Sequence, residues 1–147
     1  MLFFLGLIIL MFASVIDIKK QEVEWWLLAL GVLISITYGL LKFDCLSLAF
    51  ALLSTVSIPL VLVVLSREKW MGWGDVLFAT IAGALSGYPY SLITILCAFL
   101  AGSLFGIIYL KVNPSKKNLP FGPFLAFGCL VGIIFGGQIL KSLHGLY

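Results

Sequence analysis

Six long apolar stretches, separated by short polar interruptions, account for nearly the whole chain. Within each stretch the hydrophobic residues run on without the three-to-four-residue stripe of a surface helix, which predicts helices surrounded by apolar material on every side. The boundaries place membrane-spanning helices at about 2–17, 25–41, 46–65, 70–88, 90–110 and 120–140, each close to the roughly 20 residues needed to cross a bilayer. Residues 1–147 are expected to form one all-α, polytopic membrane domain with short loops. Trp25 and Trp26 stand where an interfacial aromatic belt would lie, and Pro59 falls inside the third helix, where it is expected to kink it. The first stretch does not read as a signal peptide, since its positive charges follow the apolar run and no small-residue cleavage site is evident. The tail from Lys141 to Tyr147 is too short to fold by itself.

Composition sharpens this picture by exclusion. With 63% hydrophobic residues, 10% charged residues and a mean hydropathy of +1.22, the chain does not fit a soluble domain. No basic run interleaved with aromatics suggests nucleic-acid binding. Cys45, Cys97 and Cys129 stand apart, with no C-x-x-C pair and no clustered histidines, so neither a metal site, a cofactor nor a disulfide framework is expected. They read as small apolar packing residues.

Charge sets the orientation. Lys19, Lys20, Arg67, Lys69, Lys111, Lys116 and Lys117 fall in the first, third and fifth loops; only Lys42 and Lys141 fall on the other side. Loops rich in Lys and Arg stay in the cytosol, so these three loops are expected there and both termini outside. The lysines from 111 to 117 serve topology and contact with anionic lipid.

One charge breaks the apolar pattern. Between Lys69 and Pro89 the sole charged residue is Asp75, placed by the fourth predicted helix about one to two turns inside the membrane. A carboxylate at such a depth costs about 2.5–3.5 kcal/mol on insertion scales, which marks it as a candidate functional group. Gly72 and Gly74 just before it let another backbone, or an extended substrate, come close. A helix start explains the same residues, because Asp is a favoured cap and glycines are common before helices. Asp17 closes the first helix on the same cytosolic face, whereas Glu22, Glu24 and Glu68 belong to loops and Asp44 to the opposite side.

Two carboxyl groups at matching depth suit aspartyl proteolysis. One, ionised, takes a proton from water as it attacks a peptide carbonyl; the other, protonated, hydrogen-bonds the carbonyl oxygen. Such a pair titrates as a unit. Ion or proton conduction, and two unrelated structural aspartates, explain the same residues. Other hydrolytic schemes lack parts: His144, the only histidine, lies in the tail, and there is no G-x-S-x-G elbow, no H-E-x-x-H motif and no dinucleotide fingerprint.

The residues also carry a family resemblance. Asp17 followed by lysines, Met71-Gly72-Trp73-Gly74-Asp75, and Leu119-Pro120-Phe121-Gly122-Pro123-Phe124-Leu125-Ala126-Phe127-Gly128 resemble, in order, the three signature regions of the type IV prepilin peptidases, a group of G-x-G-D intramembrane aspartyl proteases. The resemblance implies a multi-pass protein of the inner or plasma membrane that cleaves the short basic leader of a prepilin or pseudopilin, just after a glycine, at the cytosolic face. Asp17 and Asp75 would be the catalytic pair. Two positions depart from the family pattern: Val23-Glu24 stands where many members have Ile-Pro, and Leu77 where many have Lys. The long bacterial members resemble a fusion of this core with a cysteine-paired region and an N-methyltransferase activity; no cysteine pairs occur here, so peptidase activity without methylation is expected.

Two further features fit this frame. Pro120 and Pro123 flank Gly122, and a broken helix start there would leave backbone groups open to an extended substrate beside the aspartates; a kinked helix start accounts for them equally. Gly83 and Gly87, Gly102 and Gly106, and Gly128, Gly132 and Gly136 recur every four residues, which puts small side chains on one helix face for close packing. The competing function is a non-enzymatic transporter or assembly subunit whose acids serve ion coupling or packing. Oligomeric state leaves no mark in the sequence.

Overall fold

The computed structural model describes residues 1–20, 23–68, 71–112 and 120–144. Glu22, Lys69, Trp70, Lys116, Lys117, Leu119 and the end of the tail, named above, lie outside them, as do the side chains of Lys20 and His144. Six helices follow in order: α1 (Leu2–Lys20), α2 (Trp25–Lys42), α3 (Cys45–Ser66), α4 (Trp73–Ser86), α5 (Tyr90–Val112) and α6 (Gly122–His144). Five are long and apolar enough to cross a membrane, and α3 runs unbroken through the buried Pro59.

The fourth helix is the exception: within the span expected over 70–88, α4 runs from Trp73 to Ser86. It has 14 residues, about 21 Å at 1.5 Å per residue, against a hydrocarbon core of about 30 Å. Glycines set both limits. Gly72 is extended (φ −95°, ψ 164°) and caps the start, and Gly87 ends the helix with φ +68°, a conformation that residues with a Cβ resist. The Phe43 ring packs so close to Gly87 that a Cβ there would lie 2.5 Å from Cζ.

Burial explains why so short a helix is so apolar. α4 packs against all five others. From Val76 to Ser86 every residue except Leu77 and Thr80 is buried. Its hydrophobicity is thus that of a core element, covered by protein rather than lipid.

Between apolar helices in lipid the hydrophobic effect gives little drive, so close van der Waals fit must hold them. Small residues supply it. A Cβ at Gly6 would lie 2.9 Å from Leu85, and one at Gly31 would lie 2.8 Å from Ile81, which seats α1 and α2 on α4. Gly83 receives Thr55 of α3. The row Gly128, Gly132 and Gly136 lies against Thr94, Ala98 and Tyr90 of α5, so this part of the glycine pattern serves packing, as its spacing predicts. Buried hydroxyls of Ser14, Thr55 and Ser86 donate to carbonyls one turn back, so none of these three is left unpaired. Cys129 is buried and its thiol faces the Ala82 carbonyl at 3.7 Å, while Cys45 is exposed at the start of α3.

Candidate active site at one end of the bundle

Alternating helix directions bring the C-terminal end of α1 together with the N-terminal ends of α4 and α6. Asp17 sits on the last turn of α1 and accepts a hydrogen bond at Oδ2 from the Gly122 N–H, at 3.1 Å. One turn earlier on the same face, the buried Ser14 hydroxyl lies 2.7 Å from the Leu10 carbonyl and 3.3 Å from that of Gly122. Both backbone groups of Gly122 are therefore engaged by α1. The opening at Gly122 that the flanking prolines suggest is paired within the protein.

A glycine is required at this point by space. A Cβ on Gly122 would lie 2.7 Å from Asp17 Oδ2 and 2.9 Å from Cζ of Phe78. Phe121, the preceding residue, wedges its ring into α5: a Cβ at Gly102 would be 2.6 Å from it, and the Phe99 ring centroid lies 4.9 Å away. Pro123 falls in the first turn of α6, where a missing N–H costs nothing, and Phe121 O receives the N–H groups of Phe124 and Leu125. Pro120 and Pro123 are both half-buried. The result is an ordinary helix start pinned between α1 and α5.

Asp75 occupies the first turn of α4 rather than a point one to two turns within a longer span. Its Oδ2 accepts the Gly72 N–H at 3.1 Å, and its own N–H donates to the Gly72 carbonyl at 3.1 Å. This is half of a capping box: the carboxylate returns to the cap residue, but glycine has no side chain to reciprocate. Met71, buried with Val63 and Val76 and flanked by Phe99 and Phe121, anchors the segment just before it. Gly74 is half-buried with a Leu28 methyl 3.8 Å from where its Cβ would be, and Gly72 is exposed.

Asp17 and Asp75 lie within electrostatic reach of each other. Their environments are parallel. Each is half-buried, and each has one oxygen held by the N–H of a glycine at the start of a helix. Among the described residues, the second oxygen of each carboxyl has no hydrogen-bond partner, and no three metal-ligating side chains cluster anywhere. Around them lie two further acids, each held by a tryptophan: the Trp73 indole N–H donates to Glu68 Oε1 at 2.7 Å, and the Trp26 indole N–H donates to Glu24 Oε2. Sequence reading found both aspartates and their glycines but missed Ser14, Phe78 and the indole contacts. The signals were present in spacing alone: Ser14 precedes Asp17 by three residues, and Phe78 follows Asp75 by three.

Five membrane-length helices enclosing a short sixth, with two carboxyl groups within electrostatic reach of each other at one end, define a multi-pass helical membrane protein with an acidic centre. The Type IV leader peptidase family matches residues 4–107, and the chain belongs to that family. The matched region carries Asp17 and Asp75; the proline-rich start of α6 lies beyond it. A prepilin leader peptidase/N-methyltransferase of Legionella pneumophila is 34% identical over 79 residues, which cover 52% of this chain and 28% of that protein. One of Pseudomonas aeruginosa is 31% identical over 95 residues, 63% of this chain and 33% of the relative. The matches thus take in a third or less of either relative. No solved structure matches the chain.

Proposed function

We propose that this protein is a membrane aspartyl endopeptidase that removes the leader of a prepilin-like substrate, with Asp17 and Asp75 as the catalytic pair. The observation that carries the proposal is the meeting of these two carboxyl groups, from α1 and α4, each with one oxygen held by a helix-start glycine and the other without a partner among the described residues. A water between the two open oxygens is the nucleophile. The ionised carboxylate takes its proton as the oxygen adds to the scissile carbonyl, and the protonated partner hydrogen-bonds the developing oxyanion. The proton then passes to the leaving amine.

Gly72 and Gly74 are proposed to let the extended substrate lie across the first turn of α4, with Gly122, Pro120 and Pro123 forming the opposite bank. Gly122 acts there through Asp17, which it orients, rather than by offering free backbone groups. The positive loops support a site on the cytosolic side of the cell membrane, with both termini outside. Family membership and the names of the relatives support the substrate class.

The test is cleavage of a prepilin with glycine before the scissile bond, by the purified protein in lipid nanodiscs, with the product's N-terminus read by mass spectrometry. The proposal expects a cut directly after that glycine. An intact substrate beside a folded protein would overturn it.

A further inference from the structure

The two carboxyl groups are held by different parts of the protein. Asp17 of α1 is tied to α6 through the Gly122 N–H at 3.1 Å, and Ser14 of the same helix meets the Gly122 carbonyl. Asp75 is tied to its own turn, through the Gly72 N–H. Among the described residues, no hydrogen bond joins the first turn of α4 to α1 or α6. The spacing of the pair is therefore left to the packing of α4 against the start of α6.

Phe78 makes that contact. It follows Asp75 by three residues on α4, so the two share a face, and side chains on a helix lean back over the preceding turn, which carries the ring toward the level of Asp75. The ring ends at Gly122. A Cβ there would lie 2.9 Å from Cζ and 3.0 Å from Cε2 of the ring, and 2.7 Å from Asp17 Oδ2, so ring and carboxyl flank the same buried glycine from α4 and α1. Among the described residues Phe78 is the largest side chain that protein encloses completely, at 1% exposure, in a cluster that includes Leu10 and Ala13 of α1 and Leu125 of α6. A close-packed interior gives such a ring no room to turn aside and transmits its position to its neighbours. The path from one carboxyl group to the other thus runs through Asp75, Phe78, Gly122 and Asp17.

We infer that Phe78 is a positioning residue whose ring, carried on α4, holds Gly122 against Asp17 and so sets the distance between the two carboxyl groups. Its consequence for catalysis rests on the peptidase reading, in which a single water must reach both aspartates. The ring is shut away from solvent and acts through Gly122. If Phe78 only filled space, any side chain of similar bulk would serve; as a spacer it must be rigid. Methionine separates the two cases, because it fills apolar gaps with a flexible, unbranched chain.

The test compares Phe78→Met with the unsubstituted full chain, and Phe78→Leu, shorter and branched, is the second variant should the first not fold. Glycines are labelled with nitrogen-15, and hydrogen exchange of the Gly122 and Gly72 amides is followed by NMR in detergent, the two signals being identified by their loss in Gly122→Ala and Gly72→Ala. The Gly122 amide is expected to exchange severalfold faster in Phe78→Met, as it does in Asp17→Asn, while the Gly72 amide, bonded within its own turn, keeps its rate. In cleavage of a prepilin, kcat should fall about tenfold with KM unchanged, a smaller loss than the hundredfold of a displacement of about 1 Å, and the midpoint of thermal unfolding should stay at the wild-type value. An unchanged Gly122 rate in a folded variant, a wild-type kcat, or a loss of kcat matched by a lowered midpoint would overturn the inference. The two ideas separate cleanly. If the unsubstituted protein cuts no prepilin, the peptidase reading alone is rejected, and Gly122 exchange still decides whether Phe78 holds Gly122 on Asp17.

Discussion

Asp17 depends on Gly122 for both its partner and its room, which makes Gly122 the most sensitive small residue of the site. In Gly122→Ala, the added methyl meets Asp17 Oδ2 and the Phe78 ring, so the carboxylate, the ring or the start of α6 must shift. Misplacing a catalytic group by about 1 Å costs on the order of a hundredfold, and steady-state cleavage by Gly122→Ala is expected to fall by about that much while the protein stays folded. Ser14→Ala removes a contact with the Gly122 carbonyl at 3.3 Å and should cost only about 1 kcal/mol, a severalfold loss in the same assay. Wild-type rates in Gly122→Ala would show that the contact does not orient Asp17. The two aspartates were legible in sequence because an acid within apolar residues is costly. Ser14 was not, because serines on apolar helices usually bond their own backbone, as this one also does.

At the scale of elements, the seam between α5 and α6 rests on the absence of side chains. Gly128→Leu drives a side chain into the Thr94 carbonyl and the Ala98 backbone. Overpacking of this kind costs about 1–3 kcal/mol, and a lower midpoint of thermal unfolding in detergent is the expected reading. Thr94 offers the opposite case, since its buried hydroxyl has no hydrogen-bond partner among the described residues. Thr94→Val keeps the shape and removes the unmet group, so its midpoint should hold or rise; a clear fall would reveal a partner for the hydroxyl. Helix positions were readable from hydropathy because a run of some 20 apolar residues has one stable form in a bilayer. The length of α4 was not, because an apolar helix buried in protein and one bathed in lipid have the same composition. Only the glycines at 72 and 87 record the difference, and their meaning depends on the Phe43 ring and the conformation at Gly87.

At the scale of the whole molecule, α4 is the axis, and its shortness brings Asp75 to the end of the bundle where α1 delivers Asp17. In the proposed orientation the positive-inside pattern puts that end in the cytosol. With Cys45, Cys97 and Cys129 replaced by serine, single cysteines at Arg67 and at Lys42 should label oppositely with a membrane-impermeant maleimide in intact cells: Lys42 reacts and Arg67 does so only after permeabilisation. The reverse pattern would invert the protein and remove the cytosolic site. The central claim is that Asp17 and Asp75 act as a pair. Its most direct test is the cleavage rate of one prepilin substrate by wild type, Asp17→Asn and Asp75→Asn, each shown to be inserted and monodisperse. The account predicts that wild type cuts after the glycine and that either single substitution abolishes the cut; a substantial rate in either variant would contradict it.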